Sequence, residues 1–285
     1  MLFRSNDATD LVEEAMILAN EAVAGFMLKC DAPMVYRIHD KPNPSSMEAI
    51  VPVLKEFGYA KKGAPITNAQ IQEILSDVKG KPEQDLVNMM LLRAMKQAVY
   101  RDHFTTHFGL ASEGYTHFTS PIRRYPDLMA HRLLRLQLYR AAKSRGEYAS
   151  SPKPGAIKNL DSMVDQLSLL CDHSSAMERG AEKAAYEALE IKISEYMEQF
   201  VGQRFPATIV NVTAFGFFVR IGNGCEGLVP VRSLSGWYEF DEEKRTLTKA
   251  DSPKHETFSL GQNVQAVLES ADSRQGRLTF SLDEA

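Results

Sequence analysis

The spacing of apolar residues changes once along this chain of 285 residues, near position 202. Before that point apolar residues recur every three to four positions, as in helices, and the longest such run covers 157–201. After it they alternate with polar residues at 205–212 and 217–221, which is typical of strands. This change and the chain length predict two domains, 1–201 and 202–285.

The first predicted domain mixes helices with a few short strands. Helical spacing and capping residues predict helices at 11–29, 43–57, 68–78, 82–98, 127–143 and 157–201. Aromatic and β-branched residues predict a strand at 34–38 and paired strands within 100–118. We therefore predict an α+β fold, with helices around an incomplete sheet, followed by an all-β, five-stranded barrel of the OB type.

Charge is distributed unevenly along the chain. The hydrophobic share of 44% excludes disorder for most of it, and the net charge of −4 alone gives no reason to expect a nucleic-acid ligand. Residues 93–145, however, hold ten basic and three acidic residues, a formal charge of +7. In the helix predicted there, one face carries cations and the opposite face is expected to pack: Arg132, Arg135, Arg140 and Lys143 against Ala130, Leu134, Leu138 and Ala141.

Several chemistries lack their usual sequence signals. Cys30, Cys171 and Cys225 are odd in number and far apart, so we expect reduced thiols rather than disulfides or a metal site. His103 and His107 lie four residues apart, but no HExxH motif surrounds them, and we predict no metal site there. No run approaches the roughly eighteen apolar residues of a membrane span, and a signal-peptide core is missing. We therefore expect a cytoplasmic protein without a membrane partner.

The most informative motif is Thr-Ser-Pro-Ile-Arg-Arg-Tyr-Pro at 119–126. Arg123 and Arg124 stand between a hydroxyl cluster and a predicted helix start. Guanidinium forks, hydroxyls and the free N–H groups of the helix can all bind one phosphate. The alternative is a proline-started helix that carries two surface arginines.

Two further clusters leave their role open when the residues alone are considered. Glu178, followed by Arg179, begins an acidic helix face and is part of a solvated surface, a structural ion pair or an active-site acid. Phe215, Phe217 and Phe218 surround a glycine in a predicted strand. Because strand side chains alternate, some of these rings belong to the core and others point outward, where aromatic rings stack on nucleic-acid bases.

In several ordered segments, at 2–20, 92–100, 107–111 and 117–128, the chain resembles the RNB family of exoribonucleases. It is more similar to the ribonuclease R branch of that family than to the ribonuclease II branch. Residues 203–282, with Ala-Phe-Gly-Phe-Phe-Val and Glu-Gly-Leu-Val, resemble the S1 RNA-binding barrel that follows the RNB domain. The resemblance covers essentially the whole chain and implies the carboxy-terminal portion of such an enzyme.

The resemblance implies a processive 3′ to 5′ exoribonuclease. Such an enzyme hydrolyses single-stranded or structured RNA to nucleoside 5′-monophosphates by a two-metal mechanism that uses Mg²⁺. It also implies a catalytic site to which Arg123 contributes the phosphate-contacting guanidinium, with Arg124 and Tyr125 beside it. Glu13 and Glu178 match two glutamates of that site.

On the barrel, the resemblance implies RNA contacts from Phe215, Phe218 and Arg220. The sequence departs from the S1 pattern at Leu-Val-Pro-Val-Arg, 228–232. Pro230 replaces a histidine that commonly contacts RNA, and we expect Arg232 to contact a phosphate instead.

A second departure concerns the metal. The Mg²⁺ ligands of the family form an aspartate-rich motif upstream of the segment with which this sequence begins, and no cluster of the required spacing replaces them. We therefore expect a monomeric carboxy-terminal portion without metal ligands, which is inactive alone. The alternative is a non-catalytic RNA-binding module that uses the basic segment and the barrel only to hold RNA.

Overall fold

A computed structural model describes residues 6–59, 67–81, 83–146, 164–242, 245–250 and 256–283. The chain folds into two compact units, Met1–Arg179 (unit 1) and Gly180–Ala285 (unit 2). The division falls inside a long helix because the last turns of that helix pack on the barrel, where Met197 is fully buried. The domain limits 1–201 and 202–285 stay a prediction, since a packing unit and a family domain need not coincide.

Unit 1 contains most of the helices. In chain order they are α1 (Asp7–Lys29), α2 (Pro44–Glu56), α3 (Asn68–Asp77), α4 (Gln84–Ala94), α5 (Tyr125–Ser144) and α6 (Leu167–Met197), whose second half belongs to unit 2. The helix α1 begins four residues earlier than predicted, because the Asn6 side chain accepts hydrogen bonds from the N–H groups of Ala8 and Thr9. The predicted helix residues 157–163 lie outside the described residues.

Two short strands, β1 (Tyr36–Ile38) and β2 (Val99–Arg101), form an antiparallel ribbon in which Arg37 lies opposite Tyr100. One core forms between this ribbon and helices α1, α5 and α6; its fully buried members include Ala24, Met34, Tyr100, Met129 and Cys171. A second core joins α2, α3 and α4 around Leu54, Val78 and Val87. Unit 1 therefore has the predicted mixture of helices and sheet.

The prediction of paired strands within 100–118 is wrong beyond β2. Residues 102–118 form an irregular loop with one short 3₁₀ turn, Phe108–Leu110. Its backbone pairing is limited to isolated bridges, of His107 with Ser112 and with His39. Side chains satisfy two further groups: His39 Nδ1 accepts from the N–H of Gly109 at 3.0 Å, and His107 Nδ1 accepts from that of Leu110 at 3.2 Å. A side chain at position 109 would approach His39 to 2.7 Å, so the loop requires the glycine there.

Unit 2 is built around a closed barrel of five strands in the order β10-β5-β4-β3-β9. These strands are β3 (Arg204–Thr213), β4 (Gly216–Ile221), β5 (Glu226–Pro230), β9 (Asn263–Asp272) and β10 (Arg277–Leu282). A separate three-stranded sheet contains β6 (Tyr238–Asp241), β7 (Thr246–Lys249) and β8 (Thr257–Phe258). Phe217 and Phe280 are fully buried in the barrel core, and Gly227 lies against the Phe280 ring, where a Cβ would come within 2.5 Å. The predicted α+β region followed by a five-stranded barrel is confirmed.

Within the described residues, no helix combines the length and the apolar character that crossing a membrane requires.

Candidate functional site

Residues 119–125, called the Arg123 loop below, form a tight turn at the start of α5. The Ser120 carbonyl accepts from the backbone N–H groups of Arg123 at 3.3 Å and Arg124 at 3.1 Å. Pro126 occupies the first turn of α5, where its missing N–H costs no hydrogen bond. The Arg123 side chain is exposed and has no hydrogen-bond or ion-pair partner among the residues that the structure describes. The motif thus directs one guanidinium to solvent.

A buried carboxylate holds this loop. Asp127 is fully buried, and its Oδ1 accepts from the Ser120 N–H at 2.8 Å and from Arg124 Nη2 at 2.7 Å. An Asp in the first turn of a helix is also stabilised by the helix dipole. Arg124 is largely covered, with 22% of its side chain exposed, and its ion pair with Asp127 neutralises the charge of the buried carboxylate. The two adjacent arginines therefore have different environments, one structural and one free.

Residues 115–118, which precede the Arg123 loop, are held to α1 and α5 by hydrogen bonds. Asn20, which is buried, donates from Nδ2 to the Tyr115 hydroxyl at 2.8 Å and accepts from the Phe118 N–H at 3.0 Å. His131 stacks on the Phe118 ring at 3.9 Å, and its Nε2 lies 2.8 Å from the Phe118 carbonyl oxygen. Both ends of the Arg123 loop are therefore held by hydrogen bonds to helices.

Glu13, exposed in the first half of α1, lies seven residues before Asn20. Seven residues make almost two helical turns, so Glu13 shares the face of Asn20 and is about 10 Å from it along the axis. No hydrogen bond or ion pair joins Glu13 to the Arg123 loop among the described residues. Its predicted place in a catalytic site stays a prediction.

Glu178 pairs with a residue that the sequence reasoning missed. Its Oε2 lies 2.5 Å from Arg37 Nη1, and the Arg37 guanidinium stacks over the Tyr100 ring at 4.6 Å. On the same face of α6, Ser175 Oγ accepts from the Tyr100 N–H at 2.9 Å. Of the alternatives left open for Glu178, the structure shows an ion pair, and 40% of the glutamate side chain remains exposed.

Two residues at the back of this cluster have perturbed acidity. Burial raises the pKa of Tyr100 to about 12. Burial, with the positive charges of Arg124 and Arg37, lowers the pKa of His117 to about 3. His117 lies two residues before the Arg123 loop, and the charge of Arg123 also lowers this pKa, by less than Arg124 and Arg37 do. The structure therefore brings the Arg123 loop, Arg37 and Glu178 together around one tyrosine and one histidine.

Sequence reasoning found the loop but not its surroundings. The contact between Arg37 and Glu178 spans 141 positions of the sequence, and the contact between Tyr100 and His117 spans 17. No local sequence pattern predicts either contact. Strand alternation in β1 is the one sequence feature that bears on Arg37. Tyr36 and Ile38 are buried in the core, and Arg37, between them, lies on the opposite face of the strand.

The basic face predicted on α5 is exposed. All four of its cations, Arg132, Arg135, Arg140 and Lys143, lie at the surface. The opposite face was predicted wrongly in part, because Leu138 is 49% exposed while Leu133 and Leu136 are buried. The buried face of α5 contains Met129, Leu133 and Leu136. No residue after Leu136 in this helix is buried.

On the barrel, Phe217 and Phe218 point to opposite faces of β4, as strand alternation requires, whereas Phe215 lies in the turn between β3 and β4. Phe217 is fully buried, whereas Phe215 is 57% exposed and Phe218 is half-buried. The Phe215 and Phe218 rings meet edge to face at 6.3 Å and form one exposed aromatic surface, called the Phe215 face below. The Phe215 carbonyl accepts from the Val231 N–H at 2.9 Å, which places the exposed Arg232 beside this face.

Arg220 differs from Arg232 in its partners. Its Nε donates to Glu226 Oε1 at 2.8 Å across neighbouring strands, so its charge is already paired. The prediction that Arg220 contacts RNA remains untested. The pairing makes it a weaker phosphate ligand than Arg232, which has no ion-pair partner among the described residues.

The described residues do not fit a magnesium pair. No group of three or more His, Cys, Asp and Glu side chains within them is close enough to hold a metal ion. Of the carboxylates described above, Glu178 is paired with Arg37, and Asp127 is paired with Arg124 through Oδ1 while its Oδ2 is buried without a partner in the described part of the chain. Mg²⁺ prefers oxygen ligands that are free to coordinate it.

Two known domains match the sequence. The RNB domain matches residues 3–140, and the S1 RNA binding domain matches residues 198–283. Ribonuclease R of Escherichia coli (strain K12) is 38% identical over 280 residues, which cover 97% of this chain and 34% of that protein. Ribonuclease R 1 of Lactococcus lactis subsp. lactis is 36% identical over 275 residues, which cover 96% of this chain and 32% of that protein. The chain thus spans about one third of the length of the curated relatives it matches.

Solved structures of an RNase R are also similar to this chain. The apo form of Mycoplasma genitalium RNase R superposes with a TM-score of 0.88 at 26% identity, over 99% of this chain and 42% of that one. The same protein in complex with ribose methylated single-stranded RNA gives a TM-score of 0.87 at 26% identity, over the same shares. Yeast Ssd1, described as a pseudonuclease, shares the fold with a TM-score of 0.60 at 23% identity, over 83% of this chain and 28% of that one.

Proposed function

Since this chain belongs to the ribonuclease R family, with a carboxy-terminal portion of the RNB domain followed by an S1 domain, we propose that it binds RNA for 3′ to 5′ exoribonucleolytic hydrolysis. The proposed ligand is single-stranded or structured RNA, which the complete enzyme implied by the family would degrade processively to nucleoside 5′-monophosphates. The relatives that carry this name are about three times as long, so their activity is a proposal for this chain.

The observation that carries the proposal is the environment of Arg123. Its guanidinium is exposed and unpaired within the described part of the chain, while the turn beneath it is fixed by buried Asp127. The fixed turn determines where the Arg123 side chain begins, and the planar fork of its guanidinium matches the geometry of a phosphate. Arg124, neutralised by Asp127, serves to place its neighbour rather than to bind RNA itself.

The Phe215 face supplies the complementary interaction. Aromatic rings at a barrel surface stack on bases without regard to sequence, and a nearby cation binds the backbone. Phe215 and Phe218 provide the rings, and Arg232 provides the cation. This combination supports the proposal that unit 2 binds single-stranded RNA. One complex of a relative contains single-stranded RNA and another contains double-stranded RNA.

We propose no hydrolytic step for these residues alone, because the carboxylates described in this chain do not fit the Mg²⁺ pair that the family implies. The 285-residue chain is therefore expected to bind RNA without releasing nucleotides. The role proposed for Arg123 is to hold the phosphate, and the roles proposed for Glu13 and Glu178 are to line the site beside it.

The test is an incubation of the purified chain with a 5′-labelled single-stranded RNA in the presence of Mg²⁺. We expect a complex by fluorescence anisotropy and intact RNA on a denaturing gel. Replacing Arg123 with Gln, which keeps a polar side chain, should weaken the complex. Magnesium-dependent release of mononucleotides would contradict the proposal that this chain binds RNA without hydrolysing it. The lack of any complex would contradict RNA binding.

The second candidate is a non-catalytic RNA-binding module, which would use the Arg123 loop and the Phe215 face only to hold RNA. Both candidates bind RNA through the same residues, so binding does not separate them. The gene does: an in-frame aspartate-rich segment upstream of the codon for Met1 would support the exoribonuclease, and its lack would support the module. A cytoplasmic location and a monomeric state stay predictions from the sequence.

A further inference from the structure

Beside the Arg123 loop, a buried tyrosine holds a half-buried histidine. The Tyr100 hydroxyl oxygen lies 2.8 Å from His117 Nδ1, and the two rings meet edge to face at 5.6 Å. His117 precedes the loop by only a few residues, and Phe118, its neighbour, is fastened to Asn20 on α1. The position of the imidazole is therefore fixed from both sides.

The direction of this hydrogen bond follows from burial. Tyr100 is 2% exposed, and His117 Nδ1 is the sole hydrogen-bond partner of its hydroxyl within the described residues. A buried hydroxyl that donates to no acceptor costs free energy, so the Tyr100 O–H donates to Nδ1. The bond at one ring nitrogen determines which nitrogen carries the proton. In His117 the proton is therefore on Nε2.

The surroundings keep this histidine neutral and its N–H available. Burial and the charges of Arg124 and Arg37 lower the pKa of His117 to about 3, so at neutral pH the ring carries a single proton. Within the described residues Nε2 has no hydrogen-bond partner, and it is not one of the fully buried polar atoms that lack a partner, so part of its surface is accessible. Its N–H is thus an accessible donor two residues before the Arg123 loop, whose exposed guanidinium attracts phosphate.

We propose that His117 is an RNA-binding residue that donates its Nε2–H to an oxygen of the sugar-phosphate backbone, and that Tyr100 is the positioning residue that selects this tautomer. This inference rests on the proposed function, since it assumes that RNA reaches the Arg123 loop. A neutral donor adds direction to the contact, whereas Arg123 adds charge. The contact is independent of base sequence, because the arginines beside it attract the backbone.

Two substitutions of His117 separate the donor from the rest of the ring. In His117→Gln the carboxamide reaches the position of Nε2 and can still donate there, whereas in His117→Asn it reaches only the position of Nδ1. With a 5′-labelled oligoadenylate we expect His117→Asn to bind about fivefold more weakly and His117→Gln to bind within about twofold of the unaltered chain. His103→Asn, at an exposed histidine beside Asp102, is the matched control and should change nothing.

The same series with an oligodeoxyadenylate identifies the acceptor. A defect that persists on DNA points to a phosphate oxygen, and a defect seen on RNA alone points to the 2′-hydroxyl. Equal binding by the unaltered chain and His117→Asn on both oligonucleotides would overturn the inference while leaving the proposed function intact. If the unaltered chain binds neither oligonucleotide, the proposed function fails as well.

A spectroscopic measurement tests the tautomer without any substitution at His117. In ¹⁵N-labelled full-length chain, correlation of the imidazole nitrogens with the ring protons distinguishes a protonated nitrogen from a bare one. We expect the Nε2–H form for His117, a change of its Nε2 resonance when oligoadenylate is added, and a mixture of tautomers in Tyr100→Phe. An Nδ1–H form, or no response to oligoadenylate, would contradict the proposal.

Discussion

In unit 1 the proposed RNA-binding arginine stands on a loop held by polar groups, whereas in unit 2 the exposed rings stand on a barrel held by apolar packing. Asp127 and Asn20 are buried polar residues that fix the Arg123 loop through hydrogen bonds. Beneath the Phe215 face lies Phe217, in a core of aliphatic and aromatic side chains. A cation is thus positioned by charges and hydrogen bonds, and the stacking rings by a turn and a strand that lie on an apolar core.

Each unit carries its own probe of unfolding. Cys171 is buried in the core of unit 1 and Cys225 in the barrel of unit 2. Burial raises the pKa of Cys171 to about 12, which keeps that thiol unreactive in the folded state. Labelling of both thiols across a urea series, resolved by mass spectrometry, therefore reports the stability of the two units in one sample.

The largest effect is expected in the barrel core. Phe217→Ala removes a fully buried ring and should lower the free energy of unfolding of unit 2 by about 4 kcal/mol. Cys225 should become reactive at lower urea, and Cys171 should keep its midpoint. Phe215→Ala, two residues away but 57% exposed, is the control and should shift neither midpoint appreciably. Equal shifts for both variants would mean that Phe217 does not support the barrel.

A slightly smaller effect is expected for the polar support of unit 1. Asp127→Ala leaves the covered Arg124 without its counter-charge and should cost about 3 kcal/mol, read at Cys171. The control is Asp40→Ala, which removes an exposed pair with Lys96 and should cost less than about 1 kcal/mol. If the two variants lost equal stability, Asp127 would contribute no more than an exposed carboxylate does. The conclusion that Asp127 holds the Arg123 loop would then be wrong.

Acid should separate the units as well. Burial lowers the pKa of His107 to about 4 and that of His117 to about 3, below the unfolded value near 6.5. Between these values the unfolded state binds more protons, so the free energy of unfolding falls as the pH falls. From pH 7 to pH 5 we expect unit 1 to lose about 2 kcal/mol for each of these histidines.

The measurement is the urea midpoint at Cys171 and Cys225 at both pH values, normalised to labelling of the unfolded chain at the same pH. Unit 2 has a single histidine in its sequence, His255, which lies outside the described residues. Unit 2 should therefore lose less stability than unit 1. A greater loss at Cys225 than at Cys171 would contradict the assignment of neutral, buried histidines to unit 1.

A smaller effect, on binding rather than stability, is expected at the Phe215 face. Phe215→Ala should weaken binding of labelled oligoadenylate about tenfold, because one stacking contact contributes about 1 to 3 kcal/mol. Phe215→Tyr keeps a ring and should restore most of the affinity, as measured by anisotropy. An affinity for Phe215→Ala equal to that of the unaltered chain would remove the ring from the interface.

The sequence predicted the elements that local patterns encode. The change of apolar spacing near position 202 separated helices from barrel strands, and the Arg-Arg motif led to the loop that the structure fixes. It did not predict the Arg37–Glu178 pair or the Tyr100–His117 pair, since such contacts depend on how distant segments pack. The error within 100–118 has a similar cause: beyond β2 the pairing is limited to isolated bridges at His107, and side chains of His39 and His107 accept from further N–H groups of the loop.

The division between charge and stacking is tested most directly by the salt dependence of RNA binding. The logarithm of the affinity of each variant for oligoadenylate is plotted against the logarithm of the salt concentration. Because one phosphate contact on a single strand contributes a slope of about 0.7, Arg123→Gln should reduce the steepness by about that amount. Phe215→Ala should lower the affinity at every salt concentration and leave the slope unchanged. Parallel lines for Arg123→Gln and the unaltered chain, or a reduced slope for Phe215→Ala, would contradict the account.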